Sequence, residues 1–217
     1  MWDVILFDLD GTLTDPKEGI TKSVAHALKH FGIAVDDPDT LTPFIGPPLM
    51  GSFQKIYGLS AAEAQEAIRV YRERFSTVGW AENIPYPGIH DFLAALKAAG
   101  KTLMVATSKP EVFAVRILEH FGLARYFDLI CGTPLDNPQQ TKADVIRTAL
   151  SRGKVHDLSR AVMVGDRLHD IEGAHEVGIP AIGVLYGYGD RAEHEAHGAD
   201  HIAEDLSQLQ ELLLGNH

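Results

Sequence analysis

Apolar positions along this chain follow two different rhythms. Val4-Ile5-Leu6 is an unbroken apolar run and reads as a buried strand. Directly after it, Ile20, Val24, Ala27, Leu28 and Phe31 recur at helical spacing. Pro16 suits the first turn of that helix and Gly32 its end. Asp36-Asp37-Pro38 marks a boundary, and Gly46-Pro47-Pro48 after Phe44-Ile45 makes a stiff loop. Ser60 and Glu63 are spaced as a capping box for a helix over about 60–77. Residues 15–83 thus read as wholly helical.

Asn83-Ile84-Pro85-Tyr86-Pro87-Gly88 breaks the pattern and suggests a hinge. Beyond it, helix and strand alternate. A helix with Ile89, Phe92, Leu93 and Leu96 leads to a strand at Thr102–Ala106. A helix with Val112, Val115, Leu118 and Phe121 leads to a strand at Phe127–Ile130. Helices near Thr141–Ser151 and Ile171–Val177 precede or follow strands at Ala161–Val164 and Ala181–Val184, and a Leu-rich helix from Leu206 closes the pattern. This alternation predicts an α/β fold with a doubly wound parallel sheet. Residues 1–14 and 84–217 would form the α/β core domain, and 15–83 an inserted helical cap domain. An insertion after the first strand belongs beside the C-terminal strand ends, where open α/β sheets bind ligands, so it could act as a lid.

Composition narrows the class of partner. The chain has 217 residues, 45% of them apolar and 23% charged, ordinary for a folded protein. Its formal charge of −11, with no Lys/Arg run, argues against nucleic acid and anionic membranes as partners. No apolar stretch approaches the ~18 residues of a membrane span, and no export signal is expected. The single cysteine, Cys131, reads as a small buried residue and suggests a reducing, cytoplasmic setting. The eleven histidines lack paired ligand spacing, and His194 and His197 lie in a polar stretch that reads as surface.

Candidate chemistry sits at strand ends. Asp8 and Asp10 follow the first strand two residues apart, and i and i+2 side chains of an extended chain share a side. Two carboxylates about 5 Å apart repel by roughly 3 kcal/mol at an effective dielectric of about 20, which a shared proton or a cation would offset. A solvated Asp-Gly turn is the alternative. Thr107-Ser108-Lys109 follows the second strand and suits either an anion or a helix cap. Lys142 opens a helix, where the macrodipole disfavours it, so it suits an anion or a snorkelling surface position. Asp166, with Asp170 four residues on, follows the strand at Ala161–Val164 and could equally cap a helix. Together these groups suit Mg²⁺ and phosphoryl transfer.

In order along the chain, Asp8-x-Asp10-Gly11-Thr12, Thr107, Lys142 and Gly165-Asp166-x-x-x-Asp170 resemble the four motifs of the haloacid dehalogenase superfamily. The helical insert resembles that superfamily's C1-type cap. Phe44-Ile45-Gly46-Pro47-Pro48-Leu49, Ala106-Thr107-Ser108-Lys109-Pro110 and Gly187-Tyr188-Gly189 resemble its phosphoglycolate phosphatase and 5′-nucleotidase branch. The resemblance implies an Mg²⁺-dependent phosphatase acting on a small phosphate monoester through an aspartyl-phosphate. Asp8 would be the nucleophile, and Asp10 the acid and then the base. Asp8, the Asp10 carbonyl and Asp166 would hold Mg²⁺, with Asp170 in support. Thr107, Ser108 and Lys142 would hold the phosphoryl group. Ser108 stands where many relatives carry Asn, and either can donate a hydrogen bond.

A sugar phosphomutase of the β-phosphoglucomutase type shares these motifs, and a non-catalytic phosphate-binding module is a third possibility. Dehalogenation would not need a second carboxylate such as Asp10. Lys17, the Gly46-Pro47-Pro48 loop, Arg69, Arg72 and Arg74 are candidates for choosing the ester, and the arginines suit a solvated helix face as well. A monomer and a homodimer are both compatible with the sequence.

Overall fold

The computed structural model of the chain describes residues 2–135 and 140–215. Pro16–Ile84 form one compact unit, and the chain on either side of that stretch forms another.

The Pro16–Ile84 unit contains α1 (Lys17–His30), α2 (Leu49–Tyr57) and α3 (Ala61–Arg74), with a 3₁₀ segment at Pro38–Phe44. Ile20, Val24, Ala27 and Leu28 of α1 and Ala64, Ala67, Val70 and Tyr71 of α3 are buried, each set at helical spacing. Ser60 caps α3 as the sequence predicts: its hydroxyl accepts from the Glu63 amide at 3.3 Å, and Glu63 accepts from the Ser60 amide at 2.8 Å. The α-helical part stops at Arg74 and continues as a π-helical turn at Phe75–Gly79, so helical backbone covers the expected end near Thr77. The α2 helix falls inside the stretch read as helical but was not singled out, because it buries only Ser52 and Phe53 and shows no apolar stripe.

In the other unit, six strands form one parallel sheet: β1 (Val4–Phe7), β2 (Thr102–Pro110), β3 (Leu129–Thr133), β4 (Ala161–Gly165), β5 (Ala181–Val184) and β6 (His201–Ala203). Their order is β3-β2-β1-β4-β5-β6. Helices α4 (Ile89–Ala98), α5 (Glu111–His120), α6 (Lys142–Arg152), α7 (Leu168–Val177), α8 (Arg191–Ala196) and α9 (Leu206–Leu214) complete the unit. Alternation along the strands decides the layers. Leu6, Met104 and Met163 join Val145, Ile146 and Ala149 of α6 and Ile171 and Ala174 of α7 in one buried cluster. Phe7, one residue on, points to the opposite face and meets Phe92 of α4 edge-on at 6.0 Å and Phe127 at 6.2 Å.

Three details depart from the sequence reading. β2 does not stop at Ala106. It runs to Pro110 through an irregularity, its register against β3 shifting between Ala106 and Pro110. β6 and the short α8 were not expected, because three- and six-residue elements carry little periodicity. His194 is not a surface residue: it is fully buried on α8, with one ring nitrogen 3.2 Å from the Val184 carbonyl oxygen.

Candidate active site

Strand order reverses between β1 and its neighbours β2 and β4, which is where an open parallel sheet leaves a crevice at its C-terminal edge. Register brings the chemistry there. Phe7 lies opposite both Val105 and Val164. Asp8 therefore leaves the sheet level with the residues just before Thr107 and Asp166, and its amide donates to the Val164 carbonyl at 2.9 Å. Leu9 between the two acids is fully buried, as its alternation requires. The chain then turns on the Leu9 carbonyl, which accepts from the Leu13 amide at 2.9 Å. Gly11 has a φ of +79°, and a Cβ there would lie 2.0 Å from Asp166 Oδ2. Only glycine permits both the backbone conformation and that approach.

Asp8, Asp166 and Asp170 converge. Each offers a carboxylate oxygen within 4.8 Å of the others, and all are buried. Lys142 balances them from the first turn of α6. Its ammonium lies 2.9 Å from Asp8 Oδ1 and 2.7 Å from Asp170 Oδ1. Burial pulls the Lys142 pKa down, but Asp170 and Asp8 outweigh burial and hold it above its usual value. Thr141 caps α6, and Asp144 completes the box, accepting from the Thr141 amide at 3.0 Å, so the helix start that carries Lys142 is fixed.

The three acids are not equivalent. Both oxygens of Asp170 are engaged, Oδ1 by Lys142 and Oδ2 by the Arg167 amide at 3.1 Å. Asp166 Oδ2 accepts from the Tyr188 amide at 2.8 Å, while its Oδ1 is buried without a hydrogen-bond partner. Burial first, then the charges of Asp170 and Asp8, push the Asp166 carboxyl well above the ordinary range. Burial likewise raises Asp170, against the pull of Lys142. An unpartnered, buried carboxyl oxygen beside two further carboxylates is a donor set for a hard divalent cation such as Mg²⁺. The residues present fit that group.

Asp10 turns elsewhere. Its Oδ2 lies 2.7 Å from the Lys109 ammonium, and its Oδ1 is buried without a partner. Burial raises its pKa, with Lys109 pulling the other way and Asp8 adding to the rise. Its carboxylate is paired with Lys109, where Asp8 and Asp170 are paired with Lys142. Thr107 is buried at the end of the regular part of β2, where its hydroxyl accepts from the Lys109 amide at 3.2 Å. Ser108 is half-buried, and its carbonyl accepts from the Thr133 hydroxyl at 3.1 Å.

The sequence suits Thr107-Ser108-Lys109 to an anion or a helix cap, and the structure places Lys109 inside, against Asp10. Sequence reasoning missed the part played by Gly187-Tyr188-Gly189. Tyr188 binds Asp166 through its amide and reaches the Asp15 carboxylate through its hydroxyl. A Cβ on Gly187 would fall 2.4 Å from the Gly11 carbonyl oxygen. A glycine-tyrosine-glycine run after a buried strand is the signal, but only the close approach explains it. The candidates on the Pro16–Ile84 unit are largely engaged there. Lys17 pairs with Asp39 at 2.9 Å, and Arg69 pairs with Glu66 and Glu73. Arg74 grips Glu82 at 2.7 and 2.8 Å and reaches the Ser23 hydroxyl at 3.2 Å.

Clustered carboxylates, a buried lysine and a hydroxyl at the switch point of a doubly wound sheet define a class: parallel α/β proteins of the haloacid dehalogenase-like kind. The chain belongs to the haloacid dehalogenase-like hydrolase family, whose pattern it matches over residues 5–184. It is 48% identical to a 5′-nucleotidase of Pseudomonas aeruginosa over 96% of this chain and 94% of that protein. It is 45% identical to the tyrosine-protein kinase PtkA of Mycobacterium tuberculosis over 86% of this chain and 63% of that protein. A predicted phosphatase from Clostridium acetobutylicum superposes with a TM-score of 0.95 at 46% identity, covering 99% of each chain. Among the described residues, no helix is long and apolar enough to cross a membrane.

Proposed function

We propose that this protein is an Mg²⁺-dependent phosphatase that hydrolyses a small phosphate monoester, phosphoglycolate-like or a nucleoside monophosphate, through an aspartyl-phosphate. The observation that carries the reading is the gathering of Asp8, Asp166 and Asp170 within 4.8 Å, with Lys142 bridging two of them. Asp8, Asp166 and the Asp10 carbonyl would hold the metal. Asp170, already engaged on both oxygens, supports Lys142 and the loop of Asp166. When bound, Mg²⁺ supplies positive charge that offsets the phosphoryl dianion beside the carboxylates.

The chain's own groups divide the work. Lys142 and the hydroxyls of Thr107 and Ser108 bind the phosphoryl oxygens. Lys142 holds Asp8 with one oxygen turned to it, leaving the carboxylate fixed for attack. An Asp8 oxygen forms a bond to phosphorus as the bond from phosphorus to the ester oxygen breaks. Asp10 gives the departing alkoxide its proton, then takes one from the water that attacks phosphorus and frees Asp8. The raised pKa of Asp10 suits the first of these steps. Residues 15–83 act as the cap that selects the ester, a role supported by their insertion directly after the strand that carries the nucleophile.

The test is Mg²⁺-dependent release of phosphate from p-nitrophenyl phosphate, and its loss in Asp8→Asn; unchanged turnover in that variant overturns the reading. A ranked panel of phosphate esters identifies the substrate. The likeness to a protein named as a tyrosine kinase favours one second reading, in which a hydroxyl other than that of water accepts the phosphoryl group. Transfer to a tyrosine peptide or a sugar phosphate faster than phosphate release would establish it.

A further inference from the structure

Two lysines enter the site, and the phosphatase reading uses only Lys142. Lys109 stands two residues past Thr107 on the irregular end of β2. Its ammonium is 2.7 Å from Asp10 Oδ2, and both residues are buried. The other oxygen of that carboxyl, Asp10 Oδ1, is buried and has no hydrogen-bond partner. The Lys109 amide donates to the Thr107 hydroxyl at 3.2 Å, which ties its backbone to the end of β2. An ammonium only donates. The oxygen facing it is therefore an acceptor already engaged, and Oδ1 is the oxygen left without a partner.

We propose that Lys109 is the positioning residue for proton transfer: it holds Asp10 Oδ2 and leaves Oδ1 as the one oxygen that exchanges protons with leaving group and water. The inference rests on the reading of Asp10 given above. In the first half-reaction the Asp8–phosphorus bond forms, the phosphorus–ester oxygen bond breaks, and the Oδ1 proton goes to the ester oxygen. In the second, water attacks phosphorus, its proton goes to Oδ1, and the Asp8–phosphorus bond breaks. Without Lys109 the carboxyl rotates and presents either oxygen, and a misplaced proton donor loses much of its effect.

Leaving-group dependence separates this role from a structural one. An alkyl phosphate departs as a poor alkoxide and needs the proton, whereas p-nitrophenolate departs without it. The ratio kcat/KM reports the steps up to departure, so the two substrates are compared on it, using the full chain in saturating Mg²⁺. General acid catalysis contributes ~10²–10⁴-fold. Lys109→Met should therefore lose ~10–100-fold on an alkyl phosphate and less than about 3-fold on p-nitrophenyl phosphate. Lys109→Arg should recover part of the alkyl rate. Lys109→Gln, a milder change, is measured in parallel and read by the same ratio of rates. An equal loss on both substrates, as expected if Lys109 binds the phosphoryl group, overturns the proposal, as does no loss on either. Asp10→Asn is the control. If it loses equally on both substrates, the acid role of Asp10 fails. If its loss falls on the alkyl ester alone while Lys109→Met spares both, only the inference fails.

Discussion

Replacing Asp166 with Asn should stabilise the metal-free protein and abolish its response to Mg²⁺. In the absence of metal, Asp8, Asp166 and Asp170 crowd within 4.8 Å. Two unit charges that far apart repel by about 3.5 kcal/mol at an effective dielectric of about 20, and Asp166 has two such neighbours. Lys142 offsets part of this, and protonation relieves more, since the Asp166 carboxyl is driven well above its ordinary range by burial and then by Asp170 and Asp8. An amide of the same shape keeps an acceptor for the Tyr188 amide and turns its NH₂ where the unpartnered Oδ1 now lies. A net gain of about 1–3 kcal/mol follows. That corresponds to about 2–4 °C in Tm per kcal/mol for a chain of this size. The sign with pH is fixed. A carboxyl whose folded pKa is raised contributes stability below the unfolded value and loses it as pH rises through the folded one. The wild type in EDTA should thus weaken relative to Asp166→Asn as pH rises. Mg²⁺ at a hundred times its Kd adds about 2.7 kcal/mol to the wild type and little to the variant, which offsets most or all of the variant's advantage. Thermal unfolding followed by circular dichroism, in EDTA and in MgCl₂ from about pH 5 to 8, measures all of this. A variant that melts below the wild type in EDTA, or gains as much from Mg²⁺, refutes the assignment of Asp166 as a metal ligand.

Other changes test single contacts. Gly187→Ala puts a Cβ 2.4 Å from both Asp166 Cβ and the Gly11 carbonyl oxygen. Neither backbone can yield freely, so about 1–3 kcal/mol of stability and most of the turnover should be lost, read by melting and by phosphate release. Ser60→Ala removes the α3 capping box and should cost about 1 kcal/mol by denaturant titration while leaving kcat unchanged. Cys131 is fully buried, and burial pushes its thiol up to about 11. It should therefore react with a thiol reagent at pH 8 only after unfolding, and rapid labelling of the native protein would contradict its place in β3.

The outline of the sheet was legible because strand and helix rhythms are local. Val4-Ile5-Leu6 and Ala161–Val164 are apolar runs, and an aspartate follows each one residue later. The Ser60 capping box spans four residues, so its partners could be named in advance. Short elements failed for the same reason: α8 and β6 contain too few residues to repeat a pattern. His194 was misread because burial is decided by what packs over a residue. Polar neighbours in sequence gave no hint that one ring nitrogen would lie 3.2 Å from the Val184 carbonyl oxygen.

For the site, the sequence by itself determined which groups are present and that they stand at strand ends, since Asp8, Thr107 and Asp166 each follow an apolar run. Only tertiary structure decided how they pair. The parallel register of β1 with β2 and β4 sets Asp8 level with its partners, and the β2 irregularity turns Lys109 inward onto Asp10. Lys142 reaches Asp8 and Asp170 from a helix more than 130 residues further along than Asp8. Which carboxylate faces which lysine depends on side-chain geometry at a few ångströms. That geometry is fixed by packing among segments remote in sequence, and no local pattern encodes it.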